Sequence, residues 1–280
     1  MDMTDLEGRA RQVRARVLEM AHAGGSPHVG SALSCVDLLV GLYFSVLRIH
    51  PARPEDEARD RFILSKGHGC MAQYAVLVER GFFPASLLDE YARDGGCLSE
   101  HPSPRCVPGI ELAAGSLGHG LPVGAGLALA ARMRRQSYRV FVLISDAECY
   151  EGSVWEAALF APAQRLDNLV ALIDYNNWSA MSRTSPVLEP FSTKWGAFGW
   201  GVADIDGHDL PAIVSTLAGV PLEPGRPTAV IAHTTKGKGV SFMEDDLEWH
   251  YRPPNKDDLE RALAEINGPT PRRSSGDRRP

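Results

Sequence analysis

Three short apolar runs lie in the second half of the chain, at residues 140–144, 169–173 and 229–232. None of them shows the alternation of polar and apolar positions that marks a half-exposed strand. Runs of this length without alternation are typical of strands covered on both faces, as in parallel sheets. Weaker patterns of the same kind predict strands at 62–64 and near 201–205.

Helical spacing of apolar residues occurs between and around these runs. It predicts helices at residues 33–47, 71–79, 120–134, 153–165 and 210–217. Strands that alternate with helices indicate an α/β fold: a doubly wound, mainly parallel sheet with helices on both faces and right-handed crossovers. The length of 280 residues allows one large core, so we treat residues 1–268 as a single domain.

The end of the chain, residues 269–280, has a different composition. It combines Pro, Gly and Ser with four arginines and contains almost nothing apolar. Such a segment does not bury enough apolar surface to offset the entropy of ordering, so we expect a disordered basic tail. Binding of an acidic partner is an alternative use, although a solvated terminus is the simpler interpretation.

Charge and hydropathy exclude two large classes of function. The formal charge is −6 at pH 7, and Lys and Arg are scattered outside the tail, so there is no basic field for a nucleic acid. Residues 1–16 are polar and charged, and no apolar stretch approaches the roughly 20 residues of a membrane span. We therefore expect a cytoplasmic protein with no nucleic-acid partner and no membrane association.

The five cysteines are odd in number and include no Cys-x-x-Cys pair, which argues against a zinc site or a thioredoxin-like motif. Reduced thiols in a reducing compartment are the plain interpretation. Cys149 lies beside Glu148 in a polar motif, so a nucleophile is an alternative there. Thiols are nevertheless inert unless their surroundings lower the pKa.

Polar residues follow two consecutive predicted strands. Asp146 comes just after the first strand, and Asn176 follows the next one, 30 residues later by subtraction of their numbers. Carboxyl ends of parallel strands face one crevice, and one βαβ unit has about this length. A carboxylate and an amide oxygen suit a hard cation such as Mg²⁺ bound together with phosphate. An Asp in this position is otherwise explained as a helix cap or turn residue.

Several motifs give the chain its resemblance to a known family. In chain order they are HVGSALSCVDLLVGLYF, RFILSKGH, EHPSP, GSLGHGLPVGAGLALA, SDAECYEGSVWEAALFAPAQRLDNLVALIDYNN, and TTKGKGVSFME followed by EWH. Together they resemble transketolases, especially those split into two subunits, over about residues 13–251. The fifth motif resembles the thiamine diphosphate signature, which opens with Gly-Asp-Gly and closes with Asn. The resemblance implies the diphosphate-binding module of the thiamine diphosphate fold.

The resemblance also implies the cofactors and their ligands. Asp146 and Asn176 are expected to bind Mg²⁺, or another divalent cation such as Ca²⁺ or Mn²⁺, through their side chains, and Trp178 through its carbonyl group. The remaining contacts to thiamine diphosphate are implied for His68, Gly115, Leu117, Gly118, Ala147, Lys236 and His250. Among these, the amide of Ala147 is expected to face the diphosphate.

Catalytic roles are implied for four histidines and one glutamate, namely His28, His68, His101, His250 and Glu151. The histidines match positions that contact the diphosphate and the substrate, and imidazole exchanges protons near neutral pH. Glu151 matches a glutamate of a proton network near the subunit interface.

Each of these residues also has an ordinary explanation when it is considered alone. A single histidine is more often structural or on the surface, and Glu151 is favoured at a helix start by the helix dipole. Lys236 and Lys238 can both be exposed lysines. Gly124 and Gly126 are interpreted as close helix packing.

The resemblance implies an enzyme of two chains. The module that binds the pyrimidine ring and carries the activating glutamate normally follows this region, and it is absent here. We therefore expect a C-terminal partner subunit in an α2β2 assembly. The expected reaction transfers a two-carbon ketol unit from a ketose or ketose phosphate to an aldehyde.

Two competing interpretations remain. The chain can be an E1 α-type subunit of a 2-oxo-acid dehydrogenase, which shares the cofactor and the split architecture. It can also be an inactive regulatory or assembly subunit, because Ser145 and Ala147 stand where the signature has glycines. A methyl group at Ala147 would be strained if that position needs a positive φ.

Overall fold

The computed structural model describes residues 2–104 and 106–268. Its strands are β1 (Arg61–Leu64), β2 (Val140–Ser145), β3 (Leu169–Tyr175), β4 (Gly201–Asp206) and β5 (Thr228–His233). They form a parallel sheet in the order β1-β2-β3-β5-β4. All five predicted strands and the α/β class are thereby confirmed. The predicted basic tail at 269–280 lies outside the described residues.

The α-helices of the described residues are α1 (Met3–Gly24), α2 (Val29–Ser34), α3 (Val36–Gly41), α4 (Cys70–Glu79), α5 (Gly120–Met133), α6 (Gly152–Ala163), α7 (Ser185–Leu188), α8 (Phe191–Ala197), α9 (Leu210–Ala218) and α10 (Lys256–Asn267). A π-helical turn covers Leu42–Val46, and 3₁₀ turns cover Gly67–Gly69, Ala85–Glu90, Ala147–Tyr150 and Leu247–His250. Every helix in this part of the chain is too short or too polar to cross a membrane.

The sheet is covered by helices on both faces, which gives three layers. Alternate residues of one strand enter different cores: Phe141 of β2 belongs to the core that includes residues of α1, α2, α3, α4, α9 and α10, whereas Val142 belongs to the core that includes residues of α5, α6 and α8. This explains why the strand patterns are continuously apolar. Both faces of β2 and β3 are buried along their whole length.

The predicted helices do not include α1, although this helix has 22 residues. Its buried residues nevertheless follow helical spacing, for example Leu6, Ala10, Val13 and Val17. Charged residues between these positions give the segment a polar composition. Periodicity rather than composition is the informative signal here.

The single helix predicted over 33–47 is wrong in its bounds. The helical segment starts earlier, at Val29, and it is interrupted at Cys35, whose ψ of 7° departs from α-helical geometry. The two halves contact different parts of the fold. Ser34 reaches the carboxyl edge of the sheet, where its Oγ donates to Asp174, while Asp37 contacts Arg14 on α1.

Close packing explains only one of the two glycines on α5. A Cβ atom at Gly124 would lie 2.4 Å from Val142 Cγ2, so the helix approaches β2 through this residue. A Cβ atom at Gly126 would meet nothing within 4 Å, which contradicts the predicted packing role of Gly126.

Gly124→Ala is therefore expected to lower the free energy of unfolding by about 1–3 kcal/mol, because the added methyl overpacks the contact with Val142. Gly126→Ala on the same helix is the matched control, and it should raise stability by up to about 1 kcal/mol. Urea unfolding of the purified chain, followed by circular dichroism, measures both. Equal effects of the two variants would contradict this packing.

Candidate active site

A buried ion pair and one of its hydrogen bonds join the carboxyl ends of three strands. Lys66, just after β1, and Asp174 in β3 are both fully buried, and the ammonium group donates to the carboxylate. Asp174 also accepts hydrogen bonds from Ser34 Oγ at 2.6 Å and from the hydroxyl of Thr234, just after β5. Burial opposes ionisation, but the pairing prevails: it raises the pKa of Lys66 and lowers that of Asp174.

The predicted metal ligands lie at the same edge of the sheet. Asp146 is fully buried, and its Oδ1 accepts from the Ala147 amide at 2.9 Å while its Oδ2 accepts from Thr184 Oγ1 at 2.5 Å. Asn176 Oδ1 accepts from the Trp178 amide at 3.0 Å. Burial raises the pKa of Asp146 to about 7, because desolvation outweighs these hydrogen bonds. A divalent cation at this position would favour the ionised carboxylate.

The two residues that replace the signature glycines fit without strain. Ser145 Oγ accepts from the Glu148 amide at 3.1 Å, and Glu148 Oε2 accepts from the Ser145 amide at 3.3 Å. Ala147 starts a 3₁₀ turn, and its φ is not in the positive range. The amide of Ala147 donates to Asp146. The resemblance implied a different partner for this amide, namely the diphosphate.

The carboxylate of Glu148 fixes the loop before α5 against the strand ends. It is fully buried and accepts from the Gly118 amide at 2.8 Å and from the Ser65 hydroxyl, which in turn accepts from the Gly120 amide at 3.0 Å. Gly118 has a φ of 82°, and a Cβ atom there would lie 2.5 Å from Glu151 Cβ. Glycine is thus required at this position both for its conformation and for its contact.

Three of the predicted histidines form a cluster. The ring centroids are 4.7 Å apart for His28 and His250, 5.3 Å for His28 and His68, and 5.9 Å for His68 and His250. His28 has a φ of 71°, and its amide donates to the carbonyl of His250 at 2.9 Å. Residues from three separate parts of the sequence therefore meet at one point.

These histidines are uncharged near neutral pH. Burial lowers the pKa of His28 to about 4, that of His250 to about 3, and that of His68 well below its ordinary value. Nearby positive charges act in the same direction for His68 and His250. The Nδ1 atom of His28 is buried and has no hydrogen-bond partner in the described part of the chain, so it is available to a ligand.

The structure distinguishes the two lysines of the TTKGKG segment. Lys236 is 1% exposed, and its Nζ lies 3.1 Å from His250 Nδ1. Burial, and then the charge of Lys66, lower the pKa of Lys236 to about 8. Lys238 instead pairs with Glu244 at 3.2 Å on a partly exposed surface. Lys236 is therefore the lysine that belongs to the histidine cluster.

Glu151 lies outside this cluster, whereas the charge of His101 acts on it: after burial, it is the largest influence that lowers the pKa of His28. His101 is exposed on its loop, and its Cδ2 lies 3.2 Å from the point where a Cβ atom of Gly115 would be. Leu117 is half-buried, and its carbonyl contacts the ring of His119 at 3.1 Å. Glu151 is exposed at the start of α6.

The geometry does not favour a nucleophilic Cys149. Its thiol is buried and donates to the carbonyl of Ser145 at 3.7 Å. Burial and the neighbouring Glu148 raise the pKa of the thiol well above its ordinary value. The group is therefore protonated and inert near neutral pH.

Comparison with known proteins identifies the family of the chain. Residues 7–274 match the family described as "Transketolase, thiamine diphosphate binding domain". The chain belongs to the transketolase family. It is 40% identical to one subunit of the apulose-4-phosphate transketolase of Phocaeicola vulgatus over 269 residues, which cover 95% of each chain. It is also 40% identical to the 6-deoxy-6-sulfo-D-fructose transketolase subunit SqwG of a Clostridium species, over 94% of this chain and 96% of that relative.

Solved transketolases share the fold. The transketolase from Leishmania mexicana has a TM-score of 0.87 and 28% identity, and the match covers 93% of this chain and 41% of that chain. The transketolase from Campylobacter jejuni has a TM-score of 0.85 and 26% identity, with 95% and 43% covered. The chain thus spans about two fifths of these transketolases. The predicted family and fold are confirmed.

Three residues that hold this site together were not predicted from the sequence. Lys66, Asp174 and Glu148 are fully buried charged residues at the strand ends. All three nevertheless lie in motifs that resemble the family: Lys66 in SKGH, and the other two in the motif that begins SDAECYEG. Buried charges can be recognised only when the fold supplies their partners.

The imidazole rings of His28, His68 and His250 are expected to remain neutral at about pH 5.5, where an ordinary imidazole of pKa about 6.5 is mostly protonated. The physical reason is burial, which lowers all three pKa values. Carbon–proton NMR spectra of the rings, recorded from pH 7.5 downwards and assigned with single His→Asn variants, measure the titrations. A midpoint near the ordinary value for any of the three would contradict the buried cluster.

Proposed function

We propose that the chain is the diphosphate-binding subunit of a two-chain, thiamine diphosphate-dependent transketolase. The enzyme would transfer a two-carbon ketol unit from a ketose or ketose phosphate to an aldehyde. One observation carries the proposal: the buried Asp146 and Asn176 lie at the same edge of the sheet as Lys66. The same fold also contains the histidine cluster, which includes His28 and His250. Family membership and the 40% identical transketolase subunits support it.

The residues at this edge fit a divalent cation and a diphosphate. Asp146 and Asn176 offer a carboxylate and an amide oxygen, and Trp178 offers a backbone carbonyl, which is the oxygen chemistry that Mg²⁺, Ca²⁺ and Mn²⁺ prefer. The buried Nδ1 atom of His28 without a partner, together with Lys236, supplies polar atoms for a further ligand. When bound, thiamine diphosphate supplies a thiazolium ring that stores the electrons released by carbon–carbon cleavage.

The side chains of this subunit would bind and orient the substrate and move its protons. A lysine ammonium only donates, so the 3.1 Å contact makes His250 Nδ1 the acceptor. The proton of neutral His250 then lies on Nε2, which can donate to a hydroxyl or carbonyl oxygen of the substrate. Neutral His28 and His68 can accept substrate protons. His101 and Glu151 would act at the margin of the site, His101 towards the substrate and Glu151 towards the second active site.

A partner chain would complete the enzyme. This chain spans about two fifths of the solved transketolases, and two of its relatives are named as transketolase subunits. The proposed partner is a C-terminal subunit that binds the pyrimidine ring and supplies the activating glutamate, in an α2β2 assembly. Gly115, Leu117 and Gly118 would line the part of the site that faces this ring.

Sugars with an anionic group are the proposed substrates. The names of two relatives specify a sugar phosphate and a sulfo sugar respectively. A screen of ketose phosphates and sulfonated ketoses with several aldehydes, using this chain together with its partner, identifies the donor and the acceptor.

Asp146→Asn is expected to weaken Mg²⁺-dependent binding of thiamine diphosphate by at least about 100-fold, because loss of a charged ligand exceeds the 10–100-fold effect of altering its surroundings. Calorimetric titration of the two-chain enzyme measures the affinity. Asp204→Asn is the matched control, since Asp204 is an exposed aspartate on β4 of the same sheet, and it should bind normally.

Two results would oppose the proposal. One is cation-independent binding by the wild-type enzyme, and the other is full ketol transfer by this chain without a partner. The first result would contradict the proposed metal site, and the second would contradict the proposal that the enzyme consists of two chains.

Ala147→Gly is expected to change the affinity for thiamine diphosphate by less than about threefold and to lower stability by about 0.5–1 kcal/mol, because Ala147 is unstrained and glycine adds entropy to the unfolded chain. Titration and urea unfolding measure the two quantities. A large gain in affinity or activity would instead favour the inactive regulatory subunit, since it would identify the alanine methyl group as the obstacle.

A further inference from the structure

A chain of three polar side chains lies behind the turn that presents Lys236. Arg14 of α1, Asp37 of α3 and His208, between β4 and α9, are linked by short contacts: Arg14 Nη2 to Asp37 Oδ2 at 2.5 Å, and His208 Nδ1 to the same oxygen at 2.8 Å. Arg14 and Asp37 are almost fully buried. None of these residues belongs to the histidine cluster or to the metal site.

The hydrogen bonds of His208 fix its tautomer. The backbone amide of Thr235 donates to His208 Nε2 at 2.8 Å, so this nitrogen is an acceptor and carries no proton. The proton of the neutral ring is then on Nδ1, which donates to Asp37. Although burial opposes it, the Arg14 guanidinium lowers the pKa of Asp37 to about 2, so this carboxylate remains an acceptor at any physiological pH.

Arg14 makes a second contact with the same turn. Its Nε donates to the carbonyl of Lys238 at 3.1 Å, and its Cδ lies 2.9 Å from where a Cβ atom of Gly239 would be. The network thus holds the backbone on both sides of Lys236, through Thr235 and through Lys238.

The position of this backbone determines where the Lys236 ammonium lies. The side chain passes close to Gly30, where a Cβ atom would lie 3.1 Å from Lys236 Cγ, and it ends 3.1 Å from His250 Nδ1. A shift of the turn therefore displaces the ammonium group relative to the histidine cluster. Misplacement by about 1 Å at an active site can cost on the order of 100-fold in rate.

We propose that Arg14, Asp37 and His208 form a positioning network that sets Lys236 against His250. This inference rests on the proposed function for the role of Lys236 in ligand binding. His208 acts through the Thr235 amide and is a positioning residue, because it contacts neither the metal ligands nor the histidine rings described above.

The test uses His208→Leu and His208→Gln in the complex of this chain with its partner. Leucine removes both hydrogen bonds, whereas the amide of glutamine offers one donor and one acceptor at nearly the imidazole spacing. His208→Leu should weaken binding of thiamine diphosphate with Mg²⁺ by about 10–100-fold, as loss of supporting residues commonly does. His208→Gln should restore most of the affinity.

A double-mutant cycle with Lys236→Met separates positioning from general damage. If His208 acts through Lys236, His208→Leu has little further effect once Lys236 is methionine. His233→Leu is the matched control, because His233 also pairs with an aspartate, Asp204 at 2.8 Å, but is exposed and does not hold the turn. This control should bind thiamine diphosphate normally.

Hydrogen exchange of the complex without ligand gives a readout that does not depend on the cofactor. His208→Leu should speed exchange of the amides of residues 234–240. If this variant fails to fold, Asp37→Asn, which keeps the side-chain shape, replaces it and should have the same effect. Unchanged exchange, or equal losses of affinity with and without Lys236, would overturn the positioning network. If the wild-type complex did not bind thiamine diphosphate, the proposed function would be refuted instead. Hydrogen exchange would then still show whether His208 holds the backbone of residues 234–240.

Discussion

The buried pair of Lys66 and Asp174 is the interaction on which the rest of the site depends. Both side chains are fully buried, and desolvation of two charges costs several kcal/mol per ion in real proteins. Their mutual attraction and the hydrogen bonds from Ser34 and Thr234 offset that cost. These partners come from a helix and from the ends of three strands, so the charges remain satisfied only when the whole edge of the sheet is assembled. Removing one partner would leave a buried, uncompensated charge.

The same pair determines the electrostatics of the crevice. Lys66 adds positive potential that lowers the pKa values of Lys236 and of the neighbouring histidines, in addition to the effect of their burial. Neutral imidazoles can each donate one hydrogen bond and accept another, while the lysines favour anionic groups. Asp146 contributes the opposite preference, because its buried carboxylate favours a cation. Adjacent regions of one crevice thus favour ligands of opposite charge.

The loop after β3 is tied to the segment that carries His250. Arg183 lies 3.7 Å above the ring of Trp178 and forms two hydrogen bonds with Asp245, at 2.6 and 2.7 Å. Trp178 Nε1 donates to the same carboxylate at 2.8 Å. Exposed ion pairs contribute little stability, but this combination restricts the orientation of Trp178, whose carbonyl is the proposed third metal ligand. Local restraints of this kind prepare a site before any ligand binds.

The sequence by itself determined the class of fold and the five strands, because continuous apolar runs are local signals. The polar ends of two strands also made Asp146 and Asn176 the proposed metal ligands. It also placed His28, His68 and His250 in the candidate site, through motifs that resemble a family. Only the tertiary structure decided which residues meet. Periodicity does not predict that Lys66 finds Asp174, that Lys236 rather than Lys238 reaches a histidine, or that Ala147 is free of strain. Those outcomes depend on burial and on partners distant in the chain, and these exist only once the sheet and its two helical layers have assembled.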